Sequence, residues 1–438
     1  MLLNAADKAL WRLALPMIFS NITVPLLGLV DTAVIGHLDS PVYLGGVAVG
    51  ATATSFLFML LLFLRMSTTG LTAQAWGAKD PQRLARALVQ PLALALGAGV
   101  LIILLRLPLI DLALHIVGGS EAVLEQARRF LEIRWLSAPA SLANLVLLGW
   151  LLGVQYARAP VILLVVGNLL NIVLDLWLVM GLRMNVQGAA LATVTAEYAT
   201  LIIGLLMAKR VLTLRGVSLA MLKNAWRGDL RRLLALNRDI MLRSLLLQLC
   251  FGALTVFGAR LGSDIVAVNA VLMTMLTFTA YALDGVAYAV EAHSGQAYGA
   301  RDGSQLLEVW RAACRQSGMV ALAFALIYSL AGQYIIALLT SLPSLQQLAD
   351  RYLIWQTILP VVGVWCYLLD GMFIGATRGA EMRNSMAVAA AGFAVTLLTL
   401  PVLGNHGLWL ALAVFLALRG LSLALIWRRH WRRGTWFS

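Results

Sequence analysis

The chain has 438 residues, of which 61% are hydrophobic and 12% charged, with a formal net charge of +13. A soluble domain carries about 45–50% apolar and about 25% charged residues, so this composition excludes one. The apolar runs are long and unbroken rather than alternating, which excludes a transmembrane β-barrel and leaves an all-α polytopic membrane protein.

Met1 to Leu10 lacks the charged n-region, short apolar core and cleavage site of a signal peptide, so the first span is expected to remain in the mature protein. Leu13 to Val30 carries no charge, roughly the length a helix needs to enter a bilayer. Asp31 follows, still inside apolar sequence, with Thr32 to Gly36 uncharged beyond it. A carboxylate at the centre of such a span costs about 2.5–3.5 kcal/mol, somewhat less off-centre. Desolvation favours its neutral form, so it can hold a proton and release it when water or a cation arrives. Pro16 and Pro25 each remove a hydrogen bond from the same helix and allow a bend. The alternative is an Asp neutralised by a fixed partner for structure alone.

Twelve spans are expected, at 10–36, 45–72, 87–107, 128–154, 159–181, 186–208, 233–260, 265–293, 312–340, 350–377, 384–403 and 407–427. A cytoplasmic N-terminus puts Lys79, Arg83, Arg86, Arg158, Arg301, Arg311, Arg315, Arg378, Arg383 and the arginine-rich tail on one side, so both termini are expected in the cytoplasm. Because Lys and Arg fall between the apolar runs, the positive charge speaks of orientation and not of nucleic acid. Trp427, Trp431 and Trp436 read as interfacial anchors. Cys250, Cys314 and Cys366 are too scattered for a metal site or a disulfide framework.

The basic stretch 209–232 divides the chain into a lobe of residues 1–208 and a lobe of residues 233–438. Gln74-Ala-Trp-Gly-Ala-Lys-Asp80 returns as Gln296-Ala-Tyr-Gly-Ala-Arg-Asp302, and Arg129-Phe-Leu131 as Arg351-Tyr-Leu353, both 222 residues later (296 − 74 and 351 − 129). Six spans per half give the copies the same orientation: two six-helix bundles related by a parallel internal repeat, an architecture transporters use.

Asn168, Asn171 and Asp175 share one face of the fifth span, at i, i+3 and i+7. Asp175 and Asp31 lie about equally far from the outer ends of their spans, and Thr193 and Glu197 on the sixth extend the polar set. Such residues face protein or water rather than lipid, as an ion or substrate site or as a network joining helices. In the second half Asp284 and Glu291 share a face of the eighth span. Asp370, beside Gly371 on the tenth, suits a cation ligand or a partner for Arg378 or Arg243. Arg65, Arg243 and Arg419 are expected to pair with acids or to snorkel. Met59, Met66, Met273, Met275 and Met372 suit a pliable apolar surface, or ordinary packing. The chain has no phosphate loop, no H-E-x-x-H and no G-x-S-x-G, so no enzyme and no cofactor is expected; uphill movement would draw on an ion gradient.

Pro16 with Val30-Asp31-Thr32 and Gly36-His37-Leu38, the paired Gln74–Asp80 and Gln296–Asp302 segments, Asn171-x-x-x-Asp175, and Asp284 with Glu291 stand in an order that resembles the multidrug and toxic compound extrusion family, in its DNA-damage-inducible branch. Over the full length, the resemblance implies a monomeric antiporter of the bacterial cytoplasmic (inner) membrane. It would export small amphipathic, often cationic compounds in exchange for protons or sodium. It implies an ion site of Asp31, Asn171, Asp175 and Thr193, with Asn144 of the fourth span beside it, and a bend at Pro16 that follows the protonation of Asp31. Asn168, Glu197, Asp284, Glu291 and Asp370 are carried as a secondary polar or substrate set. Sodium-coupled relatives use an acid in the seventh span; Leu242 to Arg260 contains none, which favours protons. A flippase for a lipid-linked intermediate is the rival reading. It would line its cavity with cations, whereas the charges within the spans here lean acidic.

Overall fold

The structure is a computed structural model. It describes the backbone of residues 5–36 and 41–438, and the side chains of 5–22, 34, 35 and 42–438. Eleven helices among the described residues are long and apolar enough to cross a membrane. With the 32-residue first helix they make twelve (11 + 1). They are α1 (Ala5–Gly36), α2 (Val42–Gly77), α3 (Pro81–Leu104), α4 (Glu121–Gly153), α5 (Arg158–Gly181) and α6 (Asn185–Leu214). The second set is α7 (Leu230–Leu261), α8 (Ser263–Gly299), α9 (Gly303–Leu339), α10 (Pro343–Gly375), α11 (Gly379–Leu403) and α12 (Asn405–Arg433). Two short helices lie between spans, Arg106–Val117 and Leu219–Asn224, where the sequence suggested only loops.

The repeated seven-residue segment is a turn. After α2 the amide of Asp80 donates to the carbonyl of Ala75, and after α8 that of Asp302 donates to Ala297. Lys79 (φ 53°) and Arg301 (φ 54°) take the left-handed conformation that ends a helix in this way. Asp80 and Asp302 then cap the next helix, accepting from the amides of Arg83 (3.3 Å) and Gln305 (3.1 Å). A second pair of turns differs in residue type at its left-handed position: Gln155 (φ 63°) and Thr377 (φ 55°), again 222 apart (377 − 155), close α4 and α10.

The same offset governs packing. Gly149 and Gly153 of α4 cross α2, and Gly371 and Gly375 of α10 cross α8. A Cβ on Gly149 would lie 2.5 Å from the Arg65 carbonyl oxygen, and one on Gly371 2.8 Å from that of Ala287. Arg65 and Ala287 are themselves 222 apart (287 − 65). Small residues four apart let backbones touch where lipid supplies no hydrophobic drive.

The chain forms two compact units, Ile22–Leu234 and Met1–Asn21 with Ala235–Ser438. In the first, Trp135 Nε1 donates to Thr54 Oγ1 (3.0 Å) and Trp150 Nε1 to the Leu84 carbonyl (3.1 Å). In the second, the first part of α1 packs with α8 and α9. Arg315 holds both oxygens of the buried Asp7 (2.9 and 3.0 Å), Gln316 Nε2 donates to the Asp7 carbonyl (2.8 Å), and Gly285 lies against the Ile18 backbone. Trp436 departs from the expected anchor role. The chain reverses at Gly434 (φ 67°) and buries the indole edge-on against Phe373 (5.1 Å), because Arg378 Nη2 binds the carbonyls of Thr435 (2.9 Å) and Trp436 (2.7 Å). Trp427 and Trp431 stack on each other, 5.7 Å between ring centroids.

Gly149→Ala and Gly371→Ala should each destabilise the protein by about 1–3 kcal/mol by forcing these crossings apart. Gly97→Ala, whose Cβ meets nothing within 4 Å, should leave thermal unfolding in detergent unchanged. Equal midpoints for all three variants would refute the crossing argument.

Candidate functional site

On α5 the expected face is present. Asn171 and Asp175 are 4% and 2% exposed, while Leu169, Val173 and Trp177 on the other side are 58–60% exposed. This is the pattern of a helix with lipid on one face and packed protein on the other. Asn168, one turn earlier, is half-buried. Asn171 Oδ1 is buried and accepts no hydrogen bond among the described residues. Immediately after Asp175 the helix widens into a π-helical turn, Leu176–Gly181, a geometry frequent at functional sites.

The neighbouring helices add two groups. Asn144 of α4 donates through Nδ2 to both Oε2 (3.0 Å) and the carbonyl (3.1 Å) of Glu197 on α6. Thr193, one turn before Glu197, is half-buried and turns its hydroxyl to the Ala189 carbonyl of its own helix (3.2 Å). The structure thus joins Asn144 to Glu197 and buries Asn171 and Asp175 on one face. Asp31 lies on α1, and its side chain is outside the described residues; Pro16 is half-buried within the unbroken helix.

The second unit holds a different constellation. Asp370 of α10 accepts at Oδ2 from Arg243 Nη2 of α7 (2.6 Å) and from Arg419 Nη2 of α12. The three side chains are 4–10% exposed. Arg419 also lies over the rings of Phe415 (5.6 Å) and Tyr367 (6.0 Å). Asp284, half-buried on α8, is within electrostatic reach of Tyr367 and Cys366 beside this cluster. Glu291 is 2% exposed at the α8–α10 crossing. Of the two roles open to Asp370, pairing with arginine is the one observed: Arg243 was anticipated, Arg419 takes the place of Arg378, and Arg378 instead pairs with Glu381 (2.9 Å). Arg65 is buried within α2, its Nη1 donating to Thr69 Oγ1 (3.3 Å). No group of three or more His, Cys, Asp or Glu placed to hold a metal occurs among the described residues.

The sequence reading missed Asp7 with Arg315. An acid two turns before Pro16 gave the signal, but nothing in the pattern named its partner.

A profile of the family described as MatE matches the chain twice, at residues 16–177 and 240–403. DNA damage-inducible protein F of Escherichia coli strain K12 is 87% identical over 436 residues, covering 100% of this chain and 95% of that protein. A probable multidrug resistance protein NorM of Acinetobacter baylyi is 23% identical over 431 residues, covering 96% and 94%. A solved MATE structure in a straight conformation superposes with a TM-score of 0.85 at 23% identity, covering 98% of this chain and 96% of that one, which shows a shared fold. By the double match and the 87% identity the chain belongs to the MatE family of multidrug efflux transporters, and is a membrane transporter rather than an enzyme.

Proposed function

We propose that the chain is a secondary antiporter that exports small amphipathic, cationic compounds in exchange for protons, by alternating access between lobes of residues 1–208 and 233–438 joined by the linker 209–232. The observation that carries the choice of ion is the engagement of Asp370 by Arg243 and Arg419. Two tethered guanidiniums already neutralise the carboxylate that a cation from solution would need, and the stretch Leu242 to Arg260 of α7 contains no acid. The coupling acids in this reading are Asp31 and Asp175, with Asn171 and Thr193 completing the ion site. Asn144, Asn168 and Glu197 form the adjoining polar surface, and Asp284 and Glu291 a secondary one.

Protonation of Asp31 and Asp175 from outside removes their charge, lets α1 bend at Pro16, and displaces the cargo; deprotonation inward resets the helix. The part of α1 that contains Pro16 is packed on α8 and α9, so a bend there moves the acid-bearing part against a fixed base. One elementary charge crossing 100 mV is worth about 2.3 kcal/mol, and at about 1.36 kcal/mol per decade it sustains a concentration ratio of roughly fifty. One proton per cargo is enough for resistance. The protein acts as a monomer in the inner membrane with both termini cytoplasmic, as the distribution of Lys and Arg supports. The flippase reading needs cations free to meet pyrophosphate, and Arg243 and Arg419 are committed to Asp370.

In vesicles with an imposed pH gradient, Asp31→Asn and Asp175→Asn should each abolish proton-driven drug flux while leaving the protein folded. Full flux in either variant overturns that residue's coupling role. Replacing sodium by choline at fixed pH should leave flux unchanged, and strong sodium dependence refutes proton coupling. Asp370→Asn leaves two buried guanidiniums without their counter-ion and should destabilise the protein by about 3–5 kcal/mol, read as a lowered unfolding midpoint. Asp370→Asn with Arg243→Gln should recover part of that loss.

A further inference from the structure

The first unit carries a cavity at the linker side of the membrane that the transport reading does not use. Arg83 and Arg86 of α3 and Arg232 at the start of α7 converge on it, with Gln90 and Leu71 in its wall. Among the described residues one acid lines it, Asp229, whose side chain is 68% exposed and stands 3.8 Å from Arg86. Arg232 Nη2 donates to Gln74 Oε1 (3.3 Å) and Arg83 feels both Arg232 and Arg86. Arg86 Nε is buried and has no hydrogen-bond partner among the described residues, so the cluster holds a donor in want of an acceptor.

The rim is built to stay in place. The linker turns back at Gly228 (φ 86°) and Asp229 (φ 46°), and Gln90 Nε2 pins it through the carbonyls of Gly228 (2.6 Å) and Trp226 (3.2 Å). Beside it Trp226, Leu230 and Leu234 are 47–59% exposed, an apolar strip next to three cations. The repeated fold does not demand those cations, because the positions 222 residues after Arg83 and Arg86 are Gln305 and Glu308. Planar guanidiniums match phosphate oxygens, and basic pockets between membrane helices suit anionic headgroups.

We infer that Arg83, Arg86 and Arg232 bind the phosphodiester of an anionic phospholipid, whose acyl chains lie along Trp226, Leu230 and Leu234. The bound lipid holds the linker turn against α3. A free phosphate shares the headgroup chemistry but has nothing to cover the apolar strip.

The test uses the full-length protein in detergent and reads co-retained lipid by native mass spectrometry and the unfolding midpoint. The probes are phosphatidylglycerol, phosphatidylcholine and inorganic phosphate. Wild type should retain phosphatidylglycerol at least tenfold better than phosphatidylcholine and gain stability from it. Arg83→Gln, Arg86→Gln and Arg232→Gln should each weaken retention about fivefold. Arg86→Lys should lose less than Arg86→Gln, which separates a charge effect from misfolding. A control lacking three exposed tail charges, Arg428→Gln with Arg429→Gln and Arg432→Gln, should bind as wild type does. Equal retention of the two lipids, loss in the tail control as large as in the pocket variants, or full stabilisation by inorganic phosphate alone each overturns the assignment.

Discussion

Two membrane helices approach only as closely as the smallest residues between them allow, and this limit sets the frame of the protein. Gly149 and Gly153 bring α4 onto α2, and Gly371 and Gly375 bring α10 onto α8. Such a crossing fixes not only a distance but the rotation of each helix about its axis. With Gly371 turned toward α8, Asp370, about 100° round the helix, is turned toward α7 and α12, where Arg243 and Arg419 meet it. With Gly149 toward α2, Asn144 falls on the far side of α4 and reaches Glu197 of α6. The polar contacts therefore follow from the apolar ones.

The frame is duplicated and the chemistry is not. Turns, caps and glycine crossings recur at one offset, yet the counterpart of Asp370 is Leu148, those of Asn171 and Asp175 are Phe393 and Leu397, and that of Glu197 is Arg419. Backbone geometry depends on a few small, capping or left-handed residues, which tolerate little change. Side chains that line the interior are free to diverge once the frame holds. A buried charge costs several kcal/mol unless compensated, so each half has its own solution. The second half compensates internally, two guanidiniums against one carboxylate. The first half buries Asp175 and Asn171 on one face of α5 that borders packed protein.

Much of this was legible in the sequence. Apolar length marks the spans, a spacing of 222 residues marks the repeat, and helical periodicity puts Asn171 and Asp175 on one face. Periodicity names a face, however, and not the partner that covers it. Hence Asp370 was readable as an acid within a span, while the choice among Arg243, Arg378 and Arg419 depended on helix rotation. For the same reason Asp7 could not be assigned to Arg315, 308 residues away, although both are ordinary interfacial charges in sequence. The glycine pairs were visible as letters four apart, but 37 glycines in the chain made them indistinguishable from the rest until the helices were placed. Trp436 misled because aromatic residues among arginines normally mark the interface. A single left-handed Gly434 was enough to turn it inward.

The π-helical turn after Asp175 sets that acid at a change in the backbone ladder of α5. In an α-helix every carbonyl is committed to an amide four residues on, so a shift in one side chain is resisted by the whole ladder. Here the amide of Leu182 reaches back five residues to Trp177, and that of Met184 six residues to Leu178. The C-terminal end of α5 is thus in a wider register than the rest of the helix. Asp175 sits at the junction of the two registers. The buried face that carries Asn171 and Asp175 thus ends where the hydrogen-bond ladder changes register.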